Sequence, residues 1–458
     1  MLKTAKKAKS MAKSNKSKAK TTKKASKGRV LMALSGGIDS AVSAYKLIQA
    51  GYEVEAAFMK NWSSTNGLKY DGCPWLTDRQ DALRVAAFLG IPMHTLNFEK
   101  EYEKTVMDYF FTEYKAGRTP NPDVMCNKEI KFKLLYKWAM KNGFDYMATG
   151  HYAQVKPIKD VLAGARRTSY TLTNSGAVDN SKMTKGSGNR SKTNRLSTSA
   201  SSLNLNPSNS SDQLYALVRS ADDFKDQTYF IYNILQSQLP HLLFPIGGLK
   251  KSAVKNLARR LKLPNADKKE SMGLCFVGQI RLKDFLEQKL KIKPGPIVDI
   301  NAPKSAGVAG KGRQQKIGEH QGLAFYTVGQ RQGIRVGQNG PWFVVRKELK
   351  TNTLFVTNNP NDKALETKQV EIHSVNWISK PLALSPEFKA GSKNSLKSKG
   401  FAALGRYRHQ GTLEKITIFE LSKGHYKVEF ARPQKAVASG QSLVLYDGKV
   451  CLGGGVIV

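Results

Sequence analysis

The chain is short of acid, of cysteine and of long apolar stretches. Asp and Glu number 35 against 74 Lys and Arg in 458 residues, a formal net charge of +39. So strong an acid deficit points away from a basic partner and towards a polyanion, either nucleic acid or an acidic membrane surface. No apolar run is long enough to cross a bilayer, which excludes a helical membrane anchor within these residues. Four cysteines, Cys73, Cys126, Cys275 and Cys451, are too few and too scattered for a secreted disulfide scaffold, and none forms a C-x-x-C pair. A reducing compartment with one or two reactive thiols fits better. Two stretches lack a core altogether. Residues Met1 to about Gly28 hold no acid and no Arg, only Lys, Ser, Ala and Thr with few exceptions. They are predicted to be a disordered basic tail, open to three readings: a targeting segment, an RNA-holding arm or a solubilising tail. Thr173 to Ser211 contains no aromatic residue and reads as a disordered insertion in a surface loop, within a break in the pattern at about 156–212.

What is present begins with Leu34-Ser35-Gly36-Gly37-Ile38-Asp39-Ser40. An apolar run of strand length, Arg29 to Leu34, precedes it, and a helical pattern follows from Ala41. Glycines at such a turn let backbone N–H groups approach a ligand, and the helix N-terminus adds a partial positive charge. The loop lacks the lysine of a Walker A motif. Its S-G-G-x-D-S pattern resembles the pyrophosphate loop of ATP pyrophosphatases, and Asp39 stands where a carboxylate could hold Mg²⁺.

From Arg29 strand and helix patterns alternate. Strands are predicted at Tyr52 to Phe58, Met93 to Phe98 and Asp145 to Ala148, and helices at Thr77 to Leu89, Glu101 to Lys115 and Asn127 to Lys141. The spacing argues for an α/β fold with a doubly wound parallel sheet, whose ligands lie at the carboxyl ends of the strands. Ser35, Met59 and Gly150 fall at such ends. Leu249 to Leu261 is predicted as an amphipathic helix. After Pro294-Gly295-Pro296 short β-rich runs follow, including Phe325 to Val328, Val370 to Ile378 and Ser442 to Tyr446, and read as one or two small antiparallel barrels. The expected organisation is a tail at 1–28, a catalytic domain at 29–235, a small helical linker region at 236–293 and a C-terminal antiparallel β-barrel region at 294–458.

With Phe58 to Trp62, Thr119 to Phe132, Ala148 to Tyr152, Lys225 to Phe230, Gly273 to Phe276, Gly322 to Arg331 and Arg406 to Arg408 in view, the chain resembles the tRNA-specific 2-thiouridylases, bacterial and mitochondrial enzymes that thiolate the wobble uridine of certain tRNAs. The resemblance covers nearly everything from Arg29 except the insertions. It implies that Ala33, Leu34, Ser35, Gly36, Gly37, Ile38, Asp39 and Ser40, with Met59 and Gly150, bind ATP. It implies Cys126 and Cys275 as the catalytic pair, with Cys275 carrying a persulfide and a Cys126–Cys275 disulfide left after transfer. Asn121, Pro122 and Asp123 would meet the target base. His151, Lys225, Asp226, Gln227, Arg406, Tyr407 and Gln441 would contact tRNA. The implied cofactors are ATP and Mg²⁺. The implied partners are tRNA and an upstream persulfide donor protein, to a monomer, in mitochondria or, alternatively, a bacterial-type cytoplasm. Thr228 and Met272 depart from otherwise matching motifs. The polar and basic neighbours Asn127, Lys128 and Lys131, with Asn127 opening a helix, argue for an activated Cys126 rather than a buried apolar one. Cys73 and Cys451 read as bystanders. Two other functions compete: a different pyrophosphatase-loop ligase, such as an amidating synthetase, and an RNA-binding protein with a decayed site. The first would call for an amidotransferase partner domain and no pair of thiols, and neither fits; the intact Ser35–Ser40 loop and both cysteines oppose the second.

Overall fold

The computed structural model describes residues 26–63, 74–165, 214–269, 282–302, 315–334, 336–337, 340–379 and 400–458. The basic tail to residue 25, the 173–211 insertion, Cys73 and Cys275 lie outside the described residues.

Five parallel strands form the first sheet: β1 (Arg29–Ala33), β2 (Glu53–Lys60), β3 (Met93–Asn97), β4 (Tyr146–Ala148) and, later in the chain, Leu242–Leu243, in the order β3-β2-β1-β4-Leu242–Leu243. Strand β1 is almost wholly buried, as a central parallel strand covered on both faces must be. Its alternate residues feed opposite cores. Val30 and Met32 pack with Ala44 and Leu47 of helix α1 (Ile38–Gln49), while Leu31 and Ala33 pack with Phe132, Leu135 and Ala139. This is the doubly wound arrangement predicted. The last strand lies within 236–293, so that stretch completes the parallel sheet.

Three helical segments on this sheet start earlier than the sequence patterns indicate. Helix α2 is Pro74–Leu89, α3 runs over 99–115 and α4 over 122–141. The early start of α4 has a local cause. Asn121 caps it, its Oδ1 accepting the Val124 N–H at 3.2 Å, and Pro122 occupies the first turn, where a missing N–H costs nothing. The middles of α3 (Glu103–Met107) and α4 (Cys126–Leu135) are π-helical.

Beyond β4, strands β5 (Ala153–Pro157) and β6 (Tyr215–Arg219) pair as a hairpin, with helix α5 (Ile158–Ala165) following β5. The fifth strand of the first sheet is β7 in chain order. The middle region is a four-stranded sheet of β8 (Gly295–Asp299), β9 (Lys316–His320), β10 (Phe343–Glu348) and β11 (Thr353–Thr357), ordered β10-β11-β8-β9. It is mixed, because β11 and β8 run parallel. The antiparallel expectation therefore fails for this region. The expected strand at Phe325 to Val328 is also absent, and a single 3₁₀ turn, Leu323–Phe325, stands there.

The C-terminal region is the expected antiparallel barrel. Six strands, β12 (Glu366–Trp377), β13 (Phe401–Arg406), β14 (Glu414–Ser422), β15 (His425–Lys435), β16 (Ser442–Asp447) and β17 (Val450–Ile457), run in the order β12-β15-β14-β13-β16-β17, and β12 closes onto β17. The glycine run Gly453-Gly454-Gly455 hides β17 from a hydrophobic-pattern reading. The glycines are there because neighbouring chains approach too closely for side chains: a Cβ on Gly453 would lie 1.9 Å from the Asn376 carbonyl oxygen, and one on Gly454 2.7 Å from that of Leu443. Through β17 the hairpin β5–β6 joins the barrel sheet, with Val218 opposite Val450. The long 158–214 connection thus leaves from the barrel side of the catalytic domain.

Candidate active site

The loop between β1 and α1 sits where the sheet ends. The Leu34 N–H still donates to Ala57, and the chain then turns through Gly36 at a φ of +77°. A side chain there would meet the Asp78 carbonyl at 2.4 Å, so Gly36 is required twice over, by conformation and by space. The Ser40 hydroxyl accepts from the Ser35 N–H (3.3 Å) and donates to the Gly37 carbonyl (2.9 Å), folding the loop over the first turn of α1. Gly150, after β4, packs directly on this turn, since a Cβ on it would lie 2.8 Å from the Ser40 nitrogen. Asn265 donates to the Gly36 carbonyl at 2.8 Å. Ala33 to Ser40, Met59 and Gly150 are therefore at one end of one sheet.

Asp39 projects from the first turn of α1 and is held by two groups that the sequence reading missed. The ammonium of Lys251 lies 2.8 and 2.7 Å from its two carboxylate oxygens, and the Tyr152 hydroxyl donates to Oδ1 at 2.8 Å. Lys251 opens α7 (Lys251–Arg260; α6 being the short Thr228–Ile231), and its own N–H donates to Asp222. Its side chain is 10 % exposed against 32 % for Asp39, so it stands behind the carboxylate. This lysine comes to the loop from 212 positions further along the chain. Its place in the first turn of the amphipathic helix predicted from Leu249 was the only sequence signal for it. A second lysine, Lys268, pairs with Asp78 and Asp81 of α2 beside Gly36.

Cys126 is buried in the second turn of α4, among Tyr102, Phe110, Ile130, Phe285 and Leu286, with Met59 packed against the same cluster. Asn127 does not open the helix, as expected from sequence, because the Asn121 cap starts it at Pro122. Asn127 is buried instead and donates to the Phe230 carbonyl at 3.2 Å. Cys451 is buried within the barrel, its thiol pushed far up by burial.

The loop Arg118 to Asp123 sits at the junction of three regions. Thr119 donates its N–H to Ser439, and Gln441 donates to the Thr119 and Pro120 carbonyls (2.8 and 3.3 Å). The Thr119 and Thr327 hydroxyls are 3.2 Å apart. Gln441 therefore braces Asn121 and Pro122 from the barrel, with its amide engaged by protein.

Several residues expected to face tRNA are buried. His151 is enclosed between Phe132 and Phe244, its Nδ1 2.7 Å from the Thr149 hydroxyl, and burial with the nearby Lys131 holds it neutral, far below its ordinary pKa. Asp226 has no exposed side-chain surface. It accepts from Arg406 (2.8 Å), Arg219 (3.4 Å), the Ser220 N–H and the Thr228 hydroxyl. Arg406 is 4 % exposed. Direct side-chain contact of Asp226 and Arg406 with RNA is corrected by this burial: the pair joins β13 of the barrel to the β6–α6 connection. Gln227 likewise accepts the Tyr152 N–H (2.9 Å). Lys225 and Tyr407 retain exposed surface, and the Tyr407 hydroxyl reaches Gln434.

A parallel sheet ending in this loop defines the class, an ATP-pyrophosphatase-type nucleotide-using domain, and that implies use of ATP. The family models agree: the tRNA methyl transferase HUP domain matches residues 28–182 and 190–279, the tRNA methyl transferase PRC-barrel domain 283–358, and the aminomethyltransferase beta-barrel domain 367–457. Proteins named tRNA-specific 2-thiouridylase MnmA are similar over nearly the whole chain. That of Listeria innocua is 37% identical over 430 residues, 94% of each chain. That of Halalkalibacterium halodurans is 38% identical over 432 residues, again 94% of each, and that of Shouchella clausii is 36% identical, covering 95% of this chain and 98% of its own. The chain belongs to the tRNA-specific 2-thiouridylase family, sulfurtransferases that thiolate the wobble uridine of tRNA.

Proposed function

We propose that this chain adenylates the C2 oxygen of the wobble uridine with ATP and then replaces that oxygen with sulfur carried as a persulfide on Cys275. The observation that carries the reading is the shared position of the two halves of the chemistry. The Ser35–Ser40 loop ends β1, and Met59, at the end of neighbouring β2, packs in the cluster that encloses Cys126. Uridine O2 is a poor leaving group, and adenylation converts it to AMP, a good one. The loop N–H groups and the start of α1 favour the pyrophosphate, and Lys251 balances the charge of Asp39 beside it. Asp39 would hold Mg²⁺, which would neutralise the phosphates. A single carboxylate completed by phosphate oxygens is a usual set for this ion, and among the described residues no cluster of three or more ligating side chains exists. Asn121, Pro122 and Asp123, braced by Gln441, receive the base. Cys126 attacks the Cys275 sulfur bonded to the terminal one, leaving a Cys126–Cys275 disulfide and releasing the terminal sulfur to the base; an external thiol reductant resets the pair.

The sulfur comes from an upstream persulfide donor protein, and the enzyme acts as a monomer. The relatives above are bacterial and favour a cytoplasmic site over the mitochondrial one; the tail on which the mitochondrial reading rests lies outside the described residues. No described helix is long and apolar enough to cross a membrane. The test is peptide mass spectrometry after incubation with a sulfur donor and again after tRNA and ATP. Cys275→Ser should carry no persulfide. Cys126→Ser should load Cys275 but not complete turnover, and Cys73→Ser and Cys451→Ser should turn over. Transferable sulfur on Cys126, or a turnover disulfide that includes Cys73 or Cys451, overturns these roles.

A further inference from the structure

We infer that Phe224, Phe230 and His409 form a stacking platform for unpaired tRNA bases beside the target uridine, an assignment that rests on the function proposed above. Four observations converge on it. Phe224 is the most exposed large apolar side chain of the described residues, at 64%, and it is flanked by Lys225, whose ammonium lies 5.7 Å from its ring centre. The imidazole of His409 lies against the Phe230 ring, centroids 4.4 Å apart, and both rings keep partial exposure. The Nδ1 atom of His409 is buried without a hydrogen-bond partner, where a buried polar atom ordinarily has one. The next residue, Gln410, holds a φ of +62°, in a tight turn closed by the Gly411 N–H on Arg408, a conformation that non-glycine residues adopt rarely and that favours sites of function.

The pieces form one surface. Gln410 reaches the Phe224 carbonyl at 3.5 Å, joining the loop after β13 to the turn before α6. Phe230 in turn accepts from Asn127, the neighbour of Cys126, so the platform begins one residue from the thiol. Arg408 is exposed on the same turn, and Lys225 acts electrostatically on His409. Aromatic faces interleaved with cations suit a single-stranded polyanion: rings take bases of any identity, and cations take phosphates. Burial and the neighbouring Arg406 keep the imidazole below its ordinary pKa, so it is neutral and free to stack as an uncharged ring. A wobble nucleotide lies in an unpaired loop, which supplies such bases on either side.

The experiment measures binding of full-length protein to an unmodified substrate tRNA carrying 2-aminopurine next to the wobble position, over a salt series. Phe224→Ala and His409→Ala should each weaken binding about five- to tenfold, the low end of what one stacked base contributes. Both should leave the salt dependence unchanged and relieve the quenching of 2-aminopurine seen with wild type. His409→Phe should recover most of the loss. Lys225→Ala should instead lower the slope of log affinity against log salt by roughly 0.7. Binding by both alanine variants within about twofold of wild type overturns the inference, as does a His409→Phe variant no better than His409→Ala. A wild-type protein that binds this tRNA but never thiolates it would strike the proposed function and leave the platform standing.

Discussion

Asp39 and Asp226 are both motif aspartates, and each meets a cation contributed by a remote part of the chain. Asp39 pairs with Lys251 at the mouth of a loop, and a third of its side chain faces outwards. Asp226 pairs with Arg406 and Arg219 in the interior, with a supporting hydroxyl and backbone N–H. The first can exchange a partner for a ligand at small cost. The second cannot, because an uncompensated charge at that depth costs several kcal/mol. Residues that look alike in a motif therefore divide by burial: one is available for chemistry, while the other holds two regions in register so that the chemistry can occur.

The comparison is most directly broken at the interior pair. Arg406→Met leaves the Asp226 carboxylate buried with Arg219 alone and should lower stability by about 3–5 kcal/mol. Urea unfolding followed by fluorescence would measure this. A loss under about 1 kcal/mol would show that the pair is no structural joint. Asp39→Ala should act in the opposite sense. It should reduce ATP–pyrophosphate exchange in the presence of unmodified tRNA on the order of 10²–10³-fold, a larger effect on activity than on stability. Full thiolation by that variant would remove Asp39 from the chemistry.

A third site sharpens the rule in a region with neither role. Lys347, on β10, donates to the Tyr326 carbonyl at 2.8 Å, and burial pushes its pKa down to about 8 from an ordinary 10.5. The unfolded chain binds more protons than the folded one between those values, so stability should rise as pH increases from about 8 to about 10.5. Below pH 8 the full cost of burying the charge is present. Lys347→Met should be more stable than wild type at pH 7 and should flatten the rise, in thermal melts across that range. An unchanged slope would mean that this ammonium is solvated.

The smallest effect is expected from deleting 173–211. The segment has too few apolar residues to join a core, and loop length costs little closure entropy. Melting temperature and thiolation should stay near wild type. A large fall in melting temperature would show that it packs, and a selective loss of tRNA affinity would show that it is an RNA arm.

Sequence alone determined the parallel sheet, the glycine turn after its first strand, the barrel and the family. Each of these rests on local periodicity or on contiguous residues: apolar runs of strand length, Gly36 and Gly37 at a turn, a motif read without a gap. It was blind where contacts join remote residues. Lys251 at Asp39, Gln441 under Thr119 and Arg406 against Asp226 are separated by 212, 322 and 180 positions, and no local pattern encodes such pairings. The glycines of β17 misled a hydrophobic reading because their reason is the close approach of strands far away in sequence. Burial, too, was settled only by the tertiary structure. Whether His151, Asp226 or Lys225 can touch an RNA depends on what the fold stacks above each one, and that is a property of the packed chain.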